Sequence, residues 1–513
     1  NIFQFGDTPA PSHFNFYFAP SLFYTRRIGR APQGVVNADF VDMPAETSIL
    51  GAAKLTGKLP NGVAVGVLDA LTDVERARFV TGSDFGRQQV EPMTNYFVSR
   101  MTKEIGSTSR VGFMLTSTDR RLPDDLSSTL RKSAQSGGVD GYTSFLNKSW
   151  ILESSLFGSR VSGSEAAIEA TQESPARYFQ RPDAKSFHLD PFRTSLEGWG
   201  GKLMMSKADG VWRPILAVQA NSPGLETNDI GFMQRTDIVE TQLIMQYVDQ
   251  VPRGAFRERN MWTGVWENRN FDGDVFERGV FGQWFGTTQN YLHPNVSLFL
   301  VSGAWNDRLT RGGPVVRNAP GYSSDMSFGT DDRKPLSAVL AAHADGSRDS
   351  SYSRFIDLTL TARPRSNLQL SIEPNLSRSH DPSQYITTFA DPGATRTFGN
   401  RYVFSHLEQR SFQIGTRADW TLTPRLSFQL YLQPFIASGD FHNYRELVAA
   451  RTRDYAPVAA IGSNPDFNFR SVRGSAVVRW EFRPGSALFL AWNENRAVVA
   501  PIGDFRFGRD LRA

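Results

Sequence analysis

Ionisable residues are plentiful in this chain, yet few stand at the spacings that chemistry requires. The seven histidines are His13, His188, His293, His343, His380, His406 and His442. No two have the i, i+4 spacing of a zinc-binding helix, HExxH is missing, and none has a second histidine two residues on, where a strand would build a metal site. Loop or rim positions explain them better than ligation. Nucleophilic catalysis also lacks its supports, because there is neither a GxSxG elbow nor a phosphate-binding glycine loop. Asp272-Gly273-Asp274 opens like a calcium loop but lacks the later oxygen ligands and the distal Glu, so it reads as a hairpin turn. Asp325, Asp331 and Asp332, beside Arg333 and Lys334, read as a solvated loop before a cation site.

The carboxylates Glu197, Glu226, Asp229 and Glu267 are of the type a glycoside hydrolase uses, since paired acids can lie far apart in sequence. Charged side chains are also what a water-filled lumen displays, and that is the stronger reading. The same holds for Arg160, Arg257, Arg259, Arg417 and Arg479, which alternate with apolar neighbours and are expected to face inward. Two phrases differ in kind. Gln180-Arg181-Pro182-Asp183 and residues 222–232 are rich in turn formers and read as defined loops. From these, Arg181, Asp183, Asn228 and Asp229, with Arg417 and Arg479, are the candidate lumen-lining or loop-docking residues.

Strands must carry these groups. In residues 425–433, Leu426, Phe428, Leu430 and Leu432 alternate with Ser427, Gln429, Tyr431 and Gln433. Successive side chains of a strand point to opposite faces, so this segment has one apolar wall and one polar wall. Similar runs recur at 49–58, 62–71, 94–104, 110–118, 141–148, 150–161, 198–207 and 211–221. They continue at 239–247, 257–268, 275–288 and 296–305, then at 355–362, 368–376, 412–422, 426–435, 472–482 and 487–495. Many reach the nine to eleven residues that cross a bilayer as a tilted strand, whereas strands of soluble proteins centre near five or six. Tight Pro-containing turns at 363–367, 423–425 and 483–486 alternate with long polar connections, expected at 380–396 and 440–468. Trp420, Trp480 and Phe482 stand near those turns, as an interfacial girdle would.

Composition agrees. The chain has 513 residues, no cysteine, 38 Phe and a mean hydropathy of −0.36. No stretch approaches the roughly 18 apolar residues of a membrane helix, but barrel strands dilute their apolar residues one in two. A chain this long without thiols suits an oxidising compartment. The net charge of +4 is spread evenly, which argues against nucleic acid as a partner. A β-propeller would repeat a motif every forty to fifty residues, and none repeats.

Residues 22–30, 53–58, 66–70, 91–98, 180–183, 222–232 and 480–486, in that order, resemble an uncharacterised family of bacterial outer-membrane β-barrel proteins common in Bacteroidetes and related phyla. In it a domain of unknown function follows an N-terminal module resembling family-nine carbohydrate-binding domains. The likeness runs from about residue 3 to 506. It implies an all-β fold: a large transmembrane antiparallel up-and-down β-barrel of roughly 24–26 strands in the complete protein, in the Gram-negative outer membrane. Residues 1–513 are expected to form a single barrel domain without that module and without the closing C-terminal strand. No cofactor is expected. The expected partners are outer-membrane lipid and something that fills so wide a lumen: the loops at 30–45 or 119–138, the chain's own N-terminal module, or another protein. Three functions compete: a channel or transport conduit, with carbohydrate as the suggested cargo; a plugged structural anchor that displays a module or holds an envelope assembly; and a glycan-active enzyme at the barrel mouth.

Overall fold

The computed structural model describes residues 2–6, 16, 18–459 and 464–510; His13 lies outside them. Among the described residues, 21 strands belong to one antiparallel sheet of the closed-barrel type. Each pairs with the next along the chain, in register, from Ile49–Lys58 to Trp212–Asn221. The same order resumes from Val275–Thr288 to Ser486–Ala500. Small elements are inserted in the connections: a three-stranded sheet of Phe40–Asp42, Glu75–Thr81 and Asp84–Glu91, and the pair Trp305–Asn306 and Val316–Arg317.

The chain divides into two compact units. The first comprises Asn1–Ile244, Trp266–Phe276 and Arg311–Pro314. Its connections alternate between short turns (59–62, 106–108, 146–149, 208–211) and long segments (73–93, 121–132, 163–194, 222–237). Its strands invert the usual burial pattern. Ser109–Arg120 exposes Val111, Phe113 and Leu115, each more than 40%, while Thr116, Thr118 and Arg120 are buried on the other face. Register carries the same exposed face onto Met101, Val139, Leu156, Leu203 and Val218 of neighbouring strands. A contiguous exposed apolar surface of this extent fits hydrocarbon as its solvent.

The opposite face of the first unit is covered by its own chain. Phe3 and Leu22 from the N-terminal segment, with Leu225, Ile230 and Met233 from 222–237, pack on Ala70, Tyr96, Val98, Met114 and Phe157 of the strands. A second cluster seats Ile168 of the helix Glu165–Glu173 and Phe179 against Ala134, Val161 and Leu196. Ser164 caps that helix, its hydroxyl accepting from the Ala167 amide at 3.2 Å. Gln33 and Gly34 bond to Glu91 and Val90, and Phe40–Asp42 extends the small sheet. Within 119–138, residues from Ser133 are strand.

The second unit comprises Met245–Val265, Glu277–Thr310 and Val315–Ala513. Its strands are longer, reaching 23 residues in Leu368–Ala390, 24 in Asn400–Thr423 and 22 in Leu426–Leu447. This corrects the long polar connections expected at 380–396 and 440–468, which are strand as far as Ala390 and Leu447. The ladder continues past the apolar band, where the outward side chains turn polar and alternation no longer marks a strand. Turns at 366–367, 424–425 and 484–485 fall where expected, and Trp420, Trp480 and Phe482 stand exposed beside them. Arg160 is a second correction. It shares the exposed face of Leu156, at 65% exposure, and pairs with Glu197 on the adjacent strand at 3.3 Å. Alternation with apolar neighbours does not assign a charge to the inner wall when it stands at the end of the apolar band, where either face is wet.

Leu203 provides a test. Leu203→Arg should destabilise the fold in lipid vesicles by about 2–4 kcal/mol, the cost of a cation facing mid-bilayer hydrocarbon. Urea titration in vesicles measures it, and an unchanged midpoint would put this face in water.

Candidate functional site

The first unit is organised around residues 222–232, nearly all of which are buried. The segment leaves its strand, Trp212–Asn221, by crossing back over the preceding one, Ser195–Lys207, at closest approach. A Cβ on Gly198 would sit 2.0 Å from the Leu225 nitrogen, and one on Gly224 would sit 2.1 Å from the Glu197 oxygen. Both positions therefore demand glycine. The amide of Trp199 donates to the Ser222 hydroxyl at 2.7 Å and the Glu226 amide to the Ser159 hydroxyl at 2.8 Å, tying the loop to two strands. The loop then folds on itself. Asn228 N–H donates to Glu226 at 2.7 Å, and the Asn228 side-chain oxygen accepts from Met233 N–H at 2.9 Å.

The N-terminal segment joins this loop as a short antiparallel pair. Ser21 and Phe232 exchange backbone bonds of 2.8 and 2.9 Å, and Tyr24 N–H donates to the Ile230 carbonyl at 2.8 Å. Arg27 spans both, donating to Asn228 Oδ1 at 3.1 Å and to the Gly231 carbonyl at 2.9 Å. Nearer its start, Gly6 N–H donates to Asp140 at 3.0 Å. Asp140 itself holds the buried guanidinium of Arg100 at 2.5 and 2.8 Å. That pair reaches across the intervening strand only because residue 112 is glycine, whose Cβ would lie 2.6 Å from Arg100 Nη1.

At the centre, Asp229 accepts from Arg120 Nη1 at 2.7 Å and faces Arg131 Nε at 3.0 Å. Glu226 pairs with Arg177 Nη2 at 2.8 Å and with Arg131 Nη1 at 3.6 Å. Arg177 also donates to the Leu225 carbonyl at 2.8 Å. Both carboxylates are only 3% exposed. Burial by itself would raise their pKa, but Arg131 and Arg177 outweigh it at Glu226, as do Arg131 and Arg120 at Asp229, and both stay below the ordinary carboxylate range. Burial lowers Arg177 and Arg30, whereas Asp229 and Glu226 hold Arg131 above its ordinary value against its own burial. The centre is thus a compensated ionic cluster, with its acids held as anions.

The candidate residues separate into three places. Asn228 and Asp229 belong to this cluster. Arg181 and Asp183 meet elsewhere, 3.5 Å apart, with Arg181 also 3.0 Å from Asp272. Asp272 further accepts the Lys185 and Ser186 amides at 2.9 and 2.8 Å, so the turn at 270–274 docks the loop at 181–186. Its Asn270 side chain accepts from Asp274 N–H at 2.8 Å, in keeping with a hairpin. Arg417 and Arg479 belong to the second unit, on the polar face of their strands. Arg417 lies 5.1 Å from the Tyr431 ring centroid, and Arg479 pairs with Glu481 at 2.8 Å. Arg120, Arg131 and Arg177 escaped sequence reasoning, since up to 109 residues separate partners that no local spacing connects. Among the described residues no three His, Asp or Glu side chains converge with metal-binding geometry.

The DUF5916 family, a domain of unknown function, matches residues 15–126 and 135–512, and the chain belongs to that family. No curated protein sequence matches it. Among solved structures it is similar to the outer membrane transporter YddB from Escherichia coli, at 9% identity and a TM-score of 0.35, over 87% of this chain and 67% of that one.

Asp229→Asn leaves Arg120 and Arg131 facing an uncharged side chain, so the loop should lose about 3–5 kcal/mol of local stability. Hydrogen exchange across 222–237 reads this directly. Acid should act in the same direction. Both carboxyls titrate lower in the folded state than their ordinary 4.5 and 3.8, so their stabilisation is complete at neutral pH and declines as pH falls below about 4. Protection factors in this loop, taken relative to the intrinsic exchange rate at each pH, that stay unchanged down to about pH 3 would contradict the cluster's role.

Proposed function

We propose that this DUF5916 protein is a bacterial outer-membrane barrel that conducts polar solutes along the ionisable wall of its second unit, while its own chain fills the first. What carries this reading is the contrast between two faces of the same strands. On Leu368–Ala390 the exposed face presents Leu370, Ile372 and Leu376, and the alternate face presents Glu373 and Asn375. Register extends that polar face to Asp357, Gln413, Arg417, Gln433 and Arg473. A lumen lined in this way sets the field that a passing solute meets. The alternation of short turns with long connections around strands of this length supports the Gram-negative outer membrane as the location.

Carbohydrate is the cargo class that the resemblance suggests, through the binding-like module found in related proteins. The plugged-anchor reading has its own support in the first unit, whose interior is closed by the N-terminal segment, the 163–194 and 222–237 connections and the ionic cluster. Glu226 and Asp229 lend glycan hydrolysis no support: a general acid needs a raised pKa, and these two are held on the opposite side of their ordinary values.

Planar-bilayer recording separates conduit from anchor. The conduit should give discrete conductance, and Arg417→Glu with Arg479→Glu should shift its selectivity towards cations by several fold. Swelling of protein-loaded vesicles in oligosaccharides against amino acids of equal osmolarity would identify the cargo class. Silence from both the native chain and Asp229→Asn would leave the anchor.

A further inference from the structure

On the long-strand side of the second unit, the exposed apolar face ends at a row of guanidinium groups. Ile356 and Leu376 face each other across adjacent strands, each 55% exposed. One step further out along the same face stand Arg354, Arg378 and Arg410. Register sets Arg354 opposite Arg378 and Arg378 opposite Arg410, so three neighbouring strands present one arginine each. All three are exposed. Together with Ile356, Leu376 and Phe505 they line a surface groove.

The row carries surplus charge. Glu408 lies 3.5 Å from Arg378 and 2.8 Å from His380, and register sets Asp440, 3.6 Å from His442, opposite Glu408 on the same face. Three arginines therefore face two carboxylates, each of which a histidine shares. Tyr352 stands just beyond the row, its ring centroid 5.2 Å from the Arg354 guanidinium carbon and 5.9 Å from that of Arg378. Such rings suit the headgroup layer. With strands about 4.8 Å apart, the outer two arginines of the row are on the order of 10 Å apart at the backbone. Arginine's fork matches phosphate oxygens bidentately.

We infer that this groove binds the headgroup of a membrane lipid bearing more than one phosphate, with Arg354, Arg378 and Arg410 on the phosphates and acyl carbons against Ile356, Leu376 and Phe505. The inference rests on the membrane reading above. A single phosphate would engage one or two arginines; a bisphosphorylated headgroup engages the row.

Native mass spectrometry of the detergent-solubilised chain, titrated with bisphosphorylated lipid A, with its monophosphoryl form and with phosphatidylethanolamine, tests it. The native chain should retain the bisphosphorylated lipid at concentrations at least tenfold lower than the other two. Combined Arg354→Gln, Arg378→Gln and Arg410→Gln should abolish that preference while leaving phosphatidylethanolamine binding unchanged. Equal retention of all three lipids by the native chain, or an undiminished preference in the variant, would overturn the inference. If the variant fails to fold, the ranking of the three lipids on the native chain decides. Flotation with vesicles is the separate check on the premise: a chain that floats but ranks the lipids equally loses only this site, and one that never floats loses the membrane reading with it.

Discussion

Backbone amides and carbonyls that cross hydrocarbon have no water to bond, so every one must find its partner within the sheet. That requirement shapes the rest of this molecule. It imposes strands that pair with their neighbours along the chain, as these registers do through long ladders that resume after each bulge. It also frees the side chains from forming a conventional core. On Ser109–Arg120 Val111, Phe113 and Leu115 look outward and Thr116, Thr118 and Arg120 look in, the reverse of a soluble sheet packed on an apolar centre.

Inverting the sheet moves the packing problem to the other face. A wall of polar side chains either remains wet or must be covered by groups that satisfy it. The first unit takes the second course, with Phe3, Leu22 and Leu225 supplying apolar contacts. Buried charges answer one another there: Arg100 with Asp140, and Arg120, Arg131 and Arg177 with Glu226 and Asp229. Glycines at 112, 198 and 224 make these approaches geometrically possible. The second unit lengthens its strands and buries a smaller cluster, Val316 against Tyr402, Phe404 and Leu447.

Period-two patterning made the strands legible because lipid enforces it at every other position. The pattern weakened where lipid ends: residues 381–390 and 440–447 are strand, yet their outward side chains no longer need to be apolar. Arg160 misled for the same reason, standing at the edge of the band on the exposed face. The loop at 222–232 stood out by its turn formers, so Asn228 and Asp229 were singled out. Their partners were not, because Arg120, Arg131 and Arg177 come from three other connections and strand ends whose meeting is decided by tertiary packing alone. Arg181 and Asp183 likewise needed Asp272, 91 residues away, to become a docking point.

An apolar filling would have been the cheaper way to close the first unit, since burying paired charges returns little net stability over well-packed hydrocarbon side chains. Charges offer discrimination instead. An apolar segment can slide on an apolar wall with small loss, whereas a shift of one residue in 222–232 would part Asp229 from Arg120 and Glu226 from Arg177 together. We read the cluster as the device that fixes one seating of the loop and, through Arg27 on Asn228 and Gly231, of the N-terminal segment. A seating held by few, localised charges is also one that can be released at a single point, which a uniformly greasy contact does not allow.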